Sequence, residues 1–155
     1  MIFVFGSNTA GFHGAGAAKF AVDNEGAVNG QGQGQQGNSY AIPTRRVDST
    51  GRGRYIIVDL PLDEVAKYVK SFIRYAQRHL ELEFKVTQIG TGYAGFTADQ
   101  IANLFNAAPD NCYFDEAWAG VMSGKKYWGT YTSVPVVPFG PTTVIDVDLA
   151  DVEMD

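Results

Sequence analysis

The chain has a single cysteine, Cys112, among its 155 residues, so it can form no disulfide within itself and no multi-cysteine zinc site. That usage fits a reducing cytoplasm. Only two histidines occur, His13 and His79, and no Ser-His-Asp or Cys-His set is visible along the sequence. No apolar run approaches the about 20 residues that span a bilayer, and Met1-Ile2-Phe3-Val4-Phe5 lacks the basic start and cleavage pattern of a signal peptide. Basic residues never run longer than the pairs Arg45-Arg46 and Lys125-Lys126, and the net charge is −5. An extended electrostatic grip on nucleic acid is therefore not expected, and any phosphate binding should be local. The P-loop pattern G-x-x-x-x-G-K-[ST] is missing too, because Gly124-Lys125 is followed by Lys126, which argues against an ordinary ATPase or GTPase. Neither a metal site nor a resident cofactor is expected.

What is present is a composition for one ordinary domain, 45% hydrophobic and 13% aromatic, enough for a real core. Its start is the most informative part. The apolar run at residues 1–5 passes into Gly6-Ser7-Asn8 and a loop holding Gly11, Gly14 and Gly16, and then into an alanine-rich segment that reads as a short helix ending near Asn24-Glu25-Gly26. A strand that opens through small residues into a helix N-terminus leaves backbone N–H groups facing outward, where a diphosphate can fit. A second such unit follows later. Phe84-Lys85-Val86-Thr87-Gln88-Ile89 reads as a strand and breaks into Gly90-Thr91-Gly92-Tyr93-Ala94-Gly95-Phe96. Thr97 and Gln100 then have the capping-box spacing, with Ile101, Leu104 and Phe105 as the stripe of a second long helix. Two such loops at one sheet edge would clamp a diphosphate from both sides.

Between them, residues 26–38 interleave Gly with Gln and read as a mobile surface loop able to act as a lid. Residues 39–44 read as a strand stopped by Pro43, with Arg45 and Arg46 at its end. Residues 55–60 look extended, as an edge strand or a connector. From Asp63 onward Val65, Val69, Phe72, Ile73 and Ala76 recur at spacings of three and four, the face of an amphipathic helix started by Asp63 or the turn before it. Cys112-Tyr113-Phe114 reads as one more strand. Residues 118–141 show no clean period, and residues 145–149 alternate apolar and acidic side chains as an exposed strand does. The G-x-G-x-x-G pattern occurs twice. The copy at Gly32, Gly34 and Gly37 has neither a strand before it nor a helix after it; the copy at Gly90, Gly92 and Gly95 has both, with Asp115 about 20 residues on, and allows a Rossmann reading as the second choice.

The opening strand with Asn8, the Gly14-Ala15-Gly16 turn, the strand Tyr40-Ala41-Ile42-Pro43 and the later Thr91-Gly92-Tyr93-Ala94-Gly95-Phe96 loop occur in an order that resembles the macrodomain family, which recognises ADP-ribose and its relatives. More narrowly, the chain is similar to the short macro-like proteins of phages and prophages, on its Phe-Gly-Ser-Asn start, its Ser-Tyr-Ala-Ile-Pro-Thr strand and its later glycine loop. The resemblance covers most of residues 1–110. It implies an α/β fold of three-layer α/β/α macro-like type with a mixed sheet, shortened at the N-terminus. Residues 1–155 would form a single domain, with a macro-like core at 1–115 and an extension at 116–155. The chain departs from the family in lacking the acidic residue that receives adenine, in carrying Ala15 where one loop glycine is usual, and in lacking the acidic pair of the glycohydrolases.

The resemblance implies a ligand site made by Gly6, Ser7, Asn8, Gly11, Phe12, Gly14, Ala15 and Gly16 on one side and Gly90, Thr91, Gly92, Tyr93, Ala94, Gly95 and Phe96 on the other. Physically, Gly14, Gly16, Gly90 and Gly92 would let amides approach phosphate oxygens with no Cβ in the way. Tyr93 and Phe96 would cover a ribose or base, or else belong to the core. Asn8 would bond a ribose hydroxyl, or else only form a turn. His13 would be a general acid or base, which with Asn8 makes a candidate catalytic pair. The expected activity is binding of ADP-ribose or a related NAD-derived nucleotide, in a phage context to sequester a host defence signal in the host cytoplasm. An ADP-ribosyl hydrolase is the alternative. A third reading is an accessory protein that holds a host protein through residues 118–128 or the acidic tail. Nothing in the sequence fixes the oligomeric state.

Overall fold

The apolar runs do form strands, and they assemble into one mixed sheet. The computed structural model describes residues 1–91, 94–132 and, as backbone, 142–146. In chain order the elements are β1 (Ile2–Asn8), α1 (Gly16–Asn24), β2 (Gly34–Gln36), β3 (Ser39–Gly51), β4 (Arg54–Asp59), α2 (Leu62–Arg78), β5 (Phe84–Val86), α3 (Ala98–Ala102), β6 (Cys112–Asp115), β7 (Lys126–Gly129) and β8 (Thr142–Asp146), with single 3-10 turns at Asn103–Phe105 and Glu116–Trp118. The sheet order is β7-β6-β5-β1-β3-β4-β8, and β2 pairs beside β3. From β7 through β3 the neighbours are parallel, whereas β3–β4, β4–β8 and β2–β3 are antiparallel. Among the described residues no helix is long and apolar enough to cross a membrane.

β1 lies at the middle of the sheet and is apolar on both faces, as a buried parallel strand must be. Its Phe3 and Phe5 pack with Ala18 and Ala21 of α1, while Ile2 and Val4 join the larger core under α2 and α3. Helices therefore cover both faces of the sheet. The larger core is filled by the three-and-four stripe of α2, where Val65, Val69, Phe72 and Ala76 are fully buried. α2 begins after Pro61 with Asp63 and Glu64 in its first turn, and no side chain caps it. At its other end the Asn111 amide donates to the carbonyls of Ala76, His79 and Leu82, adding to the backbone bonds from His79 N to the Ala76 carbonyl and from Leu82 N to the His79 carbonyl that wind up the helix end.

Several sequence expectations change. The strand that begins at Ser39 does not stop at Pro43 but runs to Gly51. β2 covers Ser39 to Ala41 and β4 covers Arg45 to Gly51, so Pro43 falls in the gap between them, where its missing N–H interrupts no antiparallel ladder. Residues 54–59 are an interior strand between β3 and β8 rather than an edge or connector. The helix after Thr97 is five residues and a 3-10 turn instead of a long helix, although the Thr97–Gln100 capping box forms in full. The acidic tail strand is described only as far as Asp146, and its remaining residues lie outside the described ones.

Candidate functional site

The β1–α1 and β5–α3 loops leave adjacent parallel strands at the same edge of the sheet. From β1 the chain turns through α1 toward β3, and from β5 it turns through α3 toward β6 on the other side. The two connections also take opposite faces, α1 over Phe3 and Phe5 and α3 over the larger core. Such a divergence opens a crevice beyond the carboxyl ends of the two strands, the usual ligand position in an open α/β sheet. The loops meet at Gly6. A Cβ at that residue would stand 3.1 Å from Ile89 Cγ2 and 3.7 Å from the Gly90 amide nitrogen, so the second loop passes directly across the end of β1.

The first loop is tightly fastened. The Asn8 side chain donates to the Phe12 carbonyl and accepts from the Phe12 amide, both at 2.9 Å, which commits both ends of that amide to the turn. The Phe12 ring is buried and packs edge-on against Tyr55 at 5.6 Å. Ser7 and Gly11 are buried as well, and His13 has no exposed surface. Gly14 is exposed and Ala15 and Gly16 are half-buried at the start of α1, while Thr9 is exposed and Ala10 half-buried where the loop leaves β1. At the helix start Ala15 is an extended N-cap that offers no side-chain acceptor, so no side chain caps the first amides of α1.

His13 is paired in a way that sequence spacing did not suggest. Ser7 Oγ lies 3.0 Å from His13 Nδ1, while His13 Nε2 faces the Gln31 carbonyl at 3.0 Å and Gln36 Oε1 at 3.3 Å. Gln36 Nε2 donates to the Gln31 and Gly34 carbonyls and Gln36 Oε1 accepts from the Val28 amide, which fixes Oε1 as the acceptor facing the imidazole. Both neighbours of Nε2 are therefore acceptors, so the neutral ring carries its proton on Nε2 and Ser7 donates to Nδ1. Burial pulls the His13 pKa below its usual 6.5, opposed by the bonds to Gln36, Gln31 and Val28. The histidine is thus a neutral, interior hydrogen-bonding group with no face toward the crevice.

The Gly-Gln segment, expected as a mobile lid, is instead the other half of this network. Its Gln36 is 4% exposed, and Gly30 N donates to the Gly11 carbonyl. The backbones touch so closely that a Cβ on Gly32 would fall 2.0 Å from the Asn8 carbonyl oxygen, and one on Gly11 would fall 2.4 Å from Gln31 N. Glutamine lacks apolar area but supplies amides that replace water around a buried backbone.

The second loop is held at its base and open at its tip. Thr87 donates from both its amide and its hydroxyl to the Val4 carbonyl, and Thr91 Oγ1 donates to the Gln88 carbonyl. Phe96 N donates to the Gly90 carbonyl and closes the loop. Ala94 is buried, Gly90, Thr91 and Phe96 are half-buried, and Gly95 is exposed. Phe96 packs against the main core, so its ring is partly structural. Gly92 and Tyr93 lie outside the described residues.

Two charged groups stand beside this loop. Arg45 Nε lies 3.0 Å from Asp59 Oδ1, an ion pair, and Asp59 Oδ2 is the atom nearest to where a Cβ of Gly95 would sit, at 3.9 Å. Burial raises the Asp59 pKa and Arg45 opposes the rise. The pair was legible in retrospect, since Arg45 and Asp59 are symmetric about the Gly51-Arg52-Gly53 turn that joins β3 to β4. Asp115 is unavailable for the role that a Rossmann site requires. It is fully buried and accepts from Ala117 N, Thr130 Oγ1 and Tyr131 N, so it ties the chain beyond β7 to the end of β6. Cys112 is interior, and burial lifts its thiol to about 12, well away from a nucleophile's range. Trp118 is buried in the core, while Tyr127 and Trp128 are half-buried and Trp128 Nε1 donates to the Val86 carbonyl.

Comparisons with protein-family models, with curated proteins and with solved structures gave no match.

Proposed function

We propose that this protein binds ADP-ribose or a related NAD-derived nucleotide in the crevice between the β1–α1 and β5–α3 loops, within a three-layer macro-like fold. The observation that carries the reading is the meeting of the two glycine loops at the carboxyl ends of adjacent strands, where their connections diverge to opposite sides of the sheet. The diphosphate would lie against the amides at Gly14 to Gly16, which no side chain caps, and the second loop would close over it from Gly90 to Phe96.

Binding without chemistry is favoured by the placement of the candidate catalytic pair, Asn8 and His13. Asn8 is committed to Phe12 and His13 has no surface, so neither stands where it would touch a reacting atom. In a phage-infected cell a protein of this kind would act by sequestering a nucleotide signal in the cytoplasm.

Titration calorimetry with ADP-ribose, followed by mass analysis of the recovered ligand, tests the reading. The expected result is saturable heat at one site per chain with the ligand returned intact; absence of heat contradicts binding, and a cleaved product establishes a hydrolase instead. Gly14→Glu sets a carboxylate at the exposed α1 start and should abolish the heat while the circular dichroism spectrum is kept.

A further inference from the structure

His13 joins three pieces of chain: the end of β1 through Ser7, the first glycine loop to which it belongs, and the segment 28–36 through Gln31 and Gln36. The groups that face it from these elements are Ser7 and the Phe5 ring of β1, the backbone of Val28 and Gln31, and the side chain of Gln36. None of them carries a charge. A second proton on this ring would place a cation in an uncharged interior and would force Ser7 Oγ to turn from donor to acceptor, which strands the serine hydroxyl hydrogen.

We propose that His13 is a proton-operated latch: neutral, it fastens the segment 28–36 onto the first glycine loop, and protonated, it releases that segment and loosens the loop on which Gly14 to Gly16 are mounted. The direction follows from linkage. A histidine whose folded-state pKa is depressed is bound more readily by protons in the open state, so the closed state is fully favoured above about 6.5 and is lost as the pH falls toward the folded-state value. One linked proton makes the opening equilibrium rise toward tenfold per pH unit in that window. His13 is a positioning residue in this scheme, since it touches no ligand. The effect on ligand binding rests on the nucleotide reading above; the opening itself does not.

Hydrogen exchange of the unmodified protein between pH 7.5 and 5, corrected for the intrinsic pH dependence of exchange, reads the latch directly. The amides of Val28, Gly30 and Gln31, which bond within the latched region, should lose protection progressively in acid while Val69 and Phe72 of α2 keep theirs. Nitrogen shifts of the His13 ring should show the proton on Nε2 at pH 7.5. His13→Gln, which keeps a donor toward Gln36 but cannot titrate, should make the protection of residues 28–31 independent of pH. Constant protection of Val28, Gly30 and Gln31 in the unmodified protein down to pH 5 overturns the proposal, as does the same acid loss in His13→Gln. ADP-ribose titrations at pH 7.5 and 5.5 add the functional arm: weaker binding in acid for the unmodified protein but not for His13→Gln is expected. Absence of ADP-ribose binding at both pH values counts against the nucleotide reading and leaves the exchange result to decide the latch.

Discussion

The two glycine loops use the same residue type to opposite ends. In the first, Gly11 and the facing Gly32 allow one stretch of backbone to press against another, with carbonyl and amide groups where side chains would otherwise begin. In the second, Gly90 at the base is packed, with Ile101 Cδ1 3.1 Å from where its Cβ would sit, so it does not leave the open space expected of it. Gly95 toward the tip is exposed, and the atom nearest to a Cβ there is a single carboxylate oxygen at ordinary contact distance. Gly11 and Gly95 both have a positive φ, +73° in each, so torsion angles alone do not separate them. What separates them is whether protein already occupies the space that glycine leaves. A glycine whose space is filled is part of the fold, and one whose space is open has room for a ligand.

The sharpest way to break this comparison is to add one methyl group to each loop. Gly32→Ala pushes a Cβ into the Asn8 carbonyl, and no side-chain rotation can relieve a clash between two backbones. The expected cost is at least about 3 kcal/mol, read as a lowered urea midpoint with an unchanged slope. Gly95→Ala meets no such obstacle and should cost only the left-handed torsion, about 1 kcal/mol. Its larger consequence should be on ADP-ribose affinity, weakened roughly tenfold, or about 1.4 kcal/mol. If Gly95→Ala destabilises the chain as much as Gly32→Ala, the second loop is packed like the first and the contrast between them is lost.

How far the sequence foretells this arrangement depends on the range of the interactions involved. β1, α2 and the capping box at Thr97 were legible because each is written within a few neighbouring residues: an apolar run, a three-and-four stripe, a Thr and a Gln three apart. The glycine loops were legible as strand-to-helix transitions for the same reason. The fastening of the first loop was not, because it depends on Gln31 and Gln36, which lie 18 and 23 residues from His13 and belong to a composition that ordinarily marks an unstructured connector. Pro43 misled in a similar way. Its missing donor would end an uninterrupted antiparallel ladder, and only the topology reveals that β2 and β4 leave a gap at that point. The Ser7–His13 contact has a separation of six residues, close enough to notice, but a histidine in a glycine loop ordinarily lies at the surface and this one is interior.

The buried Asp115 carries a related lesson about acids near glycine loops. Its position along the chain suits a ribose-binding carboxylate, yet three donors from its own chain already surround it. Asp59, which no motif singled out, is the carboxylate that stands beside the second loop. Sequence spacing locates an acid on the chain, but the hydrogen-bond partners decide whether it is available to anything else.

The central claim is that the two loops form one site. Amide chemical shifts followed through a titration with ADP-ribose test it most directly, because each loop reports separately. Amides at Gly14 to Gly16 and at Gly90 to Phe96 should move together along a single saturation curve, while Gly30 and Gln31, behind the first loop, move less. Shifts confined to one loop, or two loops that saturate at different concentrations, would contradict a shared site.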